Sequence, residues 1–199
     1  MSTILPWIAV FLGILAALIN LVRRKWLVNV IGLAVQYLCI FIAFPRTDGI
    51  VPALLKVIVG LMVALVIYLT ILSTGSIRKD KIDLRLSSGE LFRGISGVFL
   101  ILLMYWAVPW LQSEVFPQSS APALTLGFGL ILLGLLQLGS KAEPLYVIIG
   151  LLTFLSGFEL LYGSLEFSAL TEAMFAMVNL LLAQTGAYFI IKDLETETL

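Results

Sequence analysis

The chain contains no histidine and only one cysteine among its 199 residues. Without histidine, b-type haem ligation and the His-based zinc or copper sites are excluded. The single cysteine, Cys39, lies within an apolar run, so a disulfide framework, a Cys-ligated iron–sulfur cluster and a thiolate zinc site are excluded as well. We therefore expect no metal site and no cofactor in this chain.

Charged residues are also scarce, at 12% of the chain, whereas about 25% is typical of soluble domains. Twelve basic and twelve acidic residues cancel, so the composition shows no basic face for nucleic acid. Hydrophobic residues make up 61% of the chain. This balance is typical of an integral membrane protein, for which the lipid bilayer is the first partner.

Long apolar stretches predict seven transmembrane helices, because a helix needs about 20 apolar residues to cross the hydrocarbon core. The predicted spans are Ile4–Leu21, Trp26–Phe44, Val51–Leu72, Gly94–Leu111, Ala123–Gly139, Leu145–Tyr162 and Ala169–Ile191. The first is not interpreted as a cleavable signal, since no basic segment precedes it and no small-residue cleavage site follows it. The predicted fold class is an all-α, polytopic membrane protein.

The lysines and arginines are distributed unevenly between the two sides that seven spans define. With the N-terminus outside and the C-terminus inside, only Arg46 and Lys56 fall on the outer side. The inner residues are then Arg23, Arg24, Lys25, Arg78, Lys79, Lys81, Arg85, Arg93, Lys141 and Lys192. Because short cytoplasmic loops carry the excess of basic residues, we predict an N-out, C-in topology. We expect the membrane to be a prokaryotic cytoplasmic (inner) membrane.

The longest polar stretch, Ser73–Arg93, is predicted to be a cytoplasmic loop. Its residues 82–86 alternate apolar and charged side chains, which is typical of a short strand or an extended docking segment. We expect this loop at the lipid headgroups or against a soluble partner. Ser87 and Glu90 predict a capping box at the start of the next helix. The acidic tail at 193–197 is predicted to be a frayed end.

The first and last three spans resemble each other. The first unit contains Asn20-Leu21, a basic turn and Val30-Ile31-Gly32-Leu33. The second contains Gln137-Leu138, a turn and Ile148-Ile149-Gly150-Leu151, at offsets of 117 and 118 residues. An even number of helices separates the two units, so they would run parallel, as in known membrane repeats. Chance sharing of Ile, Gly and Leu between apolar helices is the alternative. The predicted organisation is a three-helix unit at 1–74, a loop, linker helix and outer loop at 75–121, and a second three-helix unit with a short tail at 122–199.

The stretch Leu130–Leu136, followed by a turn and Val147–Leu152, resembles component E of the multi-subunit membrane-bound hydrogenases. That family is related to the K subunit of bacterial complex I and to the C subunit of multi-subunit cation/proton antiporters. Leu54–Ile58 resembles the lysine of the hydrogenase component within its apolar helix. The resemblance implies a small hydrophobic subunit that packs between larger, antiporter-like subunits.

The sequence also departs from these families. The hydrogenase component has a glutamate and an asparagine where this chain has Leu155-Ser156. Gly157-Phe158-Glu159 resembles the Gly-Leu-Glu triplet that carries the first intramembrane glutamate of the K subunit, but the two alignments differ by one helical turn. Gln184 stands where the K subunit has its second intramembrane glutamate.

Five polar residues within the predicted spans are candidates for an ion pathway. Lys56 lies about 7.5 Å below the outer end of its helix, from where its stem could snorkel outward, and Glu159 lies about 4.5 Å from its helix end, where water could reach it. For both we weigh this interfacial role against a functional one, because ionisable residues inside a membrane are costly. The two share the outer half and could pair if their helices touch. Gln36, Asn179 and Gln184 lie near the midplane and either bond across helices or line a water-filled path.

We recognise no nucleophile–base pair, phosphate-binding loop or haem ligand set, so we expect at most a non-catalytic subunit of a redox or ion-translocating complex, and not an enzyme. The leading hypothesis is a small subunit of a complex related to complex I, membrane hydrogenases or multi-subunit antiporters, lining part of a proton or sodium path. One alternative is a self-sufficient small-solute transporter with three helices, a linker helix and three more. The other is a scaffold or assembly subunit without any path.

Overall fold

The computed structural model describes residues 4–44, 51–73, 87–140, 142–165 and 168–197. Within these ranges the chain forms seven α-helices and no strand. The helices are α1 (Ile4–Val22), α2 (Trp26–Ala43), α3 (Val51–Ser73), α4 (Ser88–Glu114), α5 (Ala121–Ser140), α6 (Pro144–Leu165) and α7 (Ala169–Glu197).

All seven helices are long and apolar enough to cross a membrane, which confirms the predicted number of spans. Their outward faces carry large apolar side chains: Phe99 is 60% exposed, Leu170 73% and Trp106 83%. Apolar surface on this scale is compatible with lipid around it and not with water. The chain is therefore an integral membrane protein.

Contacts between neighbouring helices show that successive helices run in opposite directions. Asn20, near the end of α1, lies against Gly32, near the start of α2. Leu161, near the end of α6, lies against Gly127, near the start of α5. The bundle thus has a basic-turn end, which contains the α1–α2 turn at 23–25, and an opposite end, where α3, α5 and α7 begin.

Four helices form a ring around a shared interior: α2 contacts α3, α3 contacts α7, α7 contacts α6, and α6 contacts α2. Outside this ring, α5 packs on α6 and α1, and α4 packs on α1 and α5. The α5–α6 contact is close because glycines replace side chains there. A Cβ at Gly134 would lie 2.6 Å from the backbone nitrogen of Phe154, and a Cβ at Gly157 would lie 2.6 Å from the carbonyl oxygen of Gly127. Small residues of this kind let membrane helices approach each other.

The structure corrects two bounds. Helix α4 begins at Ser88, where the predicted capping box between Ser87 and Glu90 is present, so the last part of the predicted Ser73–Arg93 loop is helical and precedes the predicted span that begins at Gly94. The tail at 193–197 continues α7 as a helix through Glu197 and is not frayed. Both extensions mix polar with apolar residues, and polar residues such as Arg93 and Glu195 can continue a helix beyond its apolar part. The candidate partner contact at 73–93 falls mainly on residues 74–86, which lie outside the described residues.

Candidate ion-pair site in the helix bundle

Lys56 points into the helix ring and not towards lipid. It lies in the second turn of α3 on the same face as Val59 and Val63, at spacings of three and seven residues, and both valines are buried. Only 5% of the residue is exposed. Of the two interpretations left open for Lys56, the structure shows the inward one, because the face that Lys56 shares with the core turns its stem away from the outer interface.

Two carboxylates from two other helices surround the Lys56 ammonium. The Lys56 Nζ lies 2.7 Å from Oε2 of Glu172, in the first turn of α7, and 3.6 Å from Oε2 of Glu159, near the end of α6. All three side chains are at most 8% exposed. We call these three residues the ion-pair cluster. The pairing of Lys56 with Glu159 that their depth allowed is present, and Glu159 is buried, at 4% exposed.

A hydrogen-bond chain connects the ion-pair cluster to α2. The Asn179 side-chain amide donates to Oε1 of Glu159. The Tyr37 hydroxyl donates in turn to Oδ1 of Asn179, over 3.4 Å. Asn179 and Tyr37 are each 1% exposed, so this chain is shielded from solvent and lipid. All four helices of the ring thus contribute to one polar site.

Aromatic rings close the site on the side of the ammonium group. The Lys56 Nζ lies 5.4 Å from the ring centroid of Phe44 and 6.0 Å from that of Phe175, within the range of cation–π attraction. Gly163 of α6 makes room for this arrangement. A Cβ at that position would lie 2.8 Å from the Phe44 ring and 3.3 Å from Oε1 of Glu172.

The ion-pair cluster holds one ammonium group and two carboxylates, so its fully ionised form carries an excess of one negative charge. A cavity of about 10 Å³ adjoins it, lined by the cluster together with Leu55, Val59, Ala176 and Asn179. This volume is about what one water molecule needs, and carboxylate and amide groups offer it partners. The arrangement can hold one small cation or proton, or one water molecule, beside the two carboxylates.

The remaining predicted candidates lie elsewhere. Gln36 is fully buried between α2 and α6, where its Oε1 accepts a 3.0 Å hydrogen bond from the Thr153 hydroxyl. Its Nε2 has no hydrogen-bond partner among the described residues. Gln184 lies on the exposed face of α7, apart from the other candidates. The structure therefore brings together Lys56, Glu159 and Asn179, places Gln36 in a separate polar pair, and leaves Gln184 outside.

Sequence reasoning missed Glu172, which makes the shortest contact with Lys56. An acid in the first turn of a helix is common, because it interacts favourably with the helix dipole, and so it carries no signal by itself. Its spacing from Asn179 is a signal that could have been used. Seven residues place both side chains on one face of α7, so two polar groups share a stripe of an otherwise apolar helix.

Comparison with known protein families, with curated proteins and with solved structures gives no match for this chain.

Proposed function

We propose that this chain is a small hydrophobic subunit of an ion-translocating membrane complex, related to membrane hydrogenases, complex I or multi-subunit antiporters, and that its ion-pair cluster binds a proton or a sodium ion on the path. The observation that carries this proposal is the cluster itself. Ionisable residues inside a membrane are expensive, and where they are retained they commonly mark ion pathways.

The excess charge of the cluster supports ion binding over a purely structural link. A salt bridge between two helices needs one cation and one anion. The pair of Lys56 and Glu159 already meets that need, and Glu172 adds a second carboxylate. Within the part of the chain that the structure describes, no second cationic side chain pairs with the cluster. Because a buried charge without a partner is strongly destabilising, a bound proton or monovalent cation would relieve the cluster of its excess charge.

The composition of the deeper interior favours a subunit over a complete transporter. Among the described residues, the polar groups bonded to the cluster are the neutral side chains of Asn179 and Tyr37, and the separate pair of Gln36 and Thr153 is neutral as well. Amides and hydroxyls fix geometry, but a proton relay across the membrane uses a chain of acids and bases. The chain would thus supply one binding step, and the neighbouring subunits would supply the rest of the path.

The proposed arrangement is N-out and C-in, with two parallel three-helix units joined by α4, in a prokaryotic inner membrane. The pairing of α1 with α5, α2 with α6 and α3 with α7 supports the two units. So do two equivalent contacts: Asn20 lies against Gly32, and Gln137 lies against Gly150. These residues are the ones that the sequence repeat matches.

The first test is native mass spectrometry of the tagged chain, extracted gently from its own membrane. We expect a large stoichiometric assembly that contains antiporter-like subunits. A lone monomer or a small homo-oligomer would contradict the subunit proposal, and would favour instead a self-sufficient transporter with the same helix layout.

The second test measures ion pumping by the intact complex in sealed vesicles. We expect Glu172→Gln to reduce pumping strongly, because it removes the excess charge while keeping the shape of the side chain. Glu114→Gln is the matched control, since Glu114 is exposed at the end of α4 on the same end of the bundle. Equal pumping by both variants, in complexes of unchanged composition, would remove the ion-pair cluster from the path and favour a scaffold role.

A further inference from the structure

We infer that Lys56 sets the ion specificity of the ion-pair cluster: its ammonium group occupies the position in which sodium would bind, so the site takes a proton and not a sodium ion. The inference rests on the proposed function for the existence of an ion path, and it deepens that function by naming the ion. It can be tested by cation binding to the purified chain, without any measurement of ion movement.

The surroundings of the Lys56 Nζ are those of a bound monovalent cation. Two carboxylate oxygens, Oε2 of Glu172 and Oε2 of Glu159, lie 2.7 and 3.6 Å from it. The ring centroids of Phe44 and Phe175, at 5.4 and 6.0 Å, add the attraction of aromatic faces for a cation. These four groups converge on one point, and the ammonium group at the end of the Lys56 stem occupies it.

Little room and few oxygen atoms remain for a second cation. Hard cations are held by several oxygen ligands at once. Three of the four carboxylate oxygens already face a donor: the two Oε2 atoms face Lys56, and Oε1 of Glu159 accepts from the Asn179 amide. The adjoining cavity, at about 10 Å³, has space for a single water molecule. A sodium ion would therefore have to displace the ammonium group.

A proton makes neither demand, because it binds to a lone pair of one carboxylate oxygen and needs no shell of ligands. When either carboxylate takes the proton, Lys56 stays paired with the other, so neither remaining charge is buried without a partner. Among the described residues, the titratable groups at this site come from all four helices of the ring: Tyr37 from α2, Lys56 from α3, Glu159 from α6 and Glu172 from α7.

The first test removes the ammonium group and asks whether sodium takes its place. In Lys56→Ala both carboxylates and both rings remain, and the space of the lysine stem is vacated. Thermal unfolding of the purified full chain in a neutral detergent is followed by circular dichroism, in sodium chloride and in choline chloride at equal concentration. We expect the unmodified chain to melt at the same temperature in both salts.

Lys56→Ala should melt at a lower temperature in choline chloride and recover part of this loss in sodium chloride. At a sodium concentration ten times the dissociation constant, the unfolding equilibrium constant of the variant should fall about tenfold. The matched control is Lys56→Ala/Glu172→Gln, which keeps the vacated space but has one carboxylate fewer and should respond much less to sodium. Equal stability of Lys56→Ala in the two salts would overturn the inference.

A second measurement holds even if Lys56→Ala does not fold. Equilibrium binding of radioactive sodium to the unmodified chain should show no saturable site at the cluster. Saturable binding that Glu172→Gln abolishes would overturn the inference, because sodium would then bind beside the ammonium group.

The outcomes also separate this inference from the proposed function. If sodium binds at the cluster of the unmodified chain and Glu172→Gln still stops pumping by the complex, the path stands and only the inference is wrong. If the expected sodium responses are found but Glu172→Gln pumps as well as the Glu114→Gln control, the proposed function fails, and Lys56 remains the built-in cation of a structural site.

Discussion

Removing the charge of Lys56 should destabilise the fold much more than removing the charge of Glu172. The substitution Lys56→Met keeps a long, flexible side chain but leaves Glu159 and Glu172 buried together without their cation. The substitution Glu172→Gln leaves Lys56 and Glu159 as a balanced pair of one positive and one negative charge. The two changes thus differ in the charge they leave behind and hardly at all in the volume they remove.

The expected magnitudes follow from this difference. Breaking a buried ion pair by removing one partner costs about 3–5 kcal/mol, because the charge that stays is neither hydrated nor compensated. That is two to four orders of magnitude in the unfolding equilibrium constant. For Glu172→Gln we expect a change of about 1 kcal/mol or less, since a glutamine can still hydrogen-bond and a balanced pair remains.

Both variants can be compared by SDS-induced unfolding of the purified chain in mixed micelles, followed by far-UV circular dichroism. Lys192→Met is the control for the loss of a lysine, because Lys192 is exposed near the end of α7. The reasoning is refuted if Glu172→Gln destabilises the chain as much as Lys56→Met does. It is also refuted if Lys56→Met behaves like the control, since the charge of the lysine would then have no part in the fold.

Three further changes, one of them with a matched control, test the packing of the bundle and the cap of α4. Gly60→Ala should destabilise the fold by about 1–3 kcal/mol in the same SDS assay, since its Cβ would lie 2.1 Å from the Tyr37 ring. In a variant that already carries Tyr37→Ala, the same substitution should have a much smaller effect. Gly134→Ala should cost at least as much in that assay, because its Cβ would meet backbone atoms of α6, whereas Gly139→Ala, in open space, should not destabilise the chain. Ser87→Ala removes the cap of α4 and should cost about 1 kcal/mol, seen as faster hydrogen exchange in the first turn of that helix, and unchanged exchange would contradict the capping role.

The number and position of the spans could be predicted from the sequence because hydrophobic length alone decides them. Hydrophobic length alone does not give the ends of α4 and α7: the start of α4 follows from the capping box of Ser87 and Glu90, whereas the end of α7 could not be predicted, because polar residues such as Lys192 can continue a helix beyond the apolar stretch. The repeat in the sequence identified Gly32 and Gly150 as equivalent positions, and in the structure each lies against an amide side chain. What the sequence lacks is the order in which the helices pack.

Only part of the site could be predicted, because the sequence does not show how the helices pack. Lys56 and Glu159 stood out because ionisable residues are rare in apolar helices, and their similar depth allowed a pair. Which face of a helix points inward is harder to predict, because the side that faces lipid is as apolar as the core. Asn179 and Gln184 looked equivalent in the sequence, yet Asn179 is 1% exposed in the site and Gln184 faces outward.

The position of Glu172 is the strongest reason to regard the ion-pair cluster as more than a structural salt bridge between helices. It lies in the first turn of α7 and makes a shorter contact with Lys56 than Glu159 does, 2.7 Å against 3.6 Å. A structural salt bridge would gain little from a second carboxylate, whose charge in the membrane costs about 2.5–3.5 kcal/mol. The proposed ion site would gain from it directly, because Glu172 offers a cation a second carboxylate beside Glu159. Neutral replacement of Glu172 should therefore affect ion movement far more than stability, and a scaffold would show neither effect.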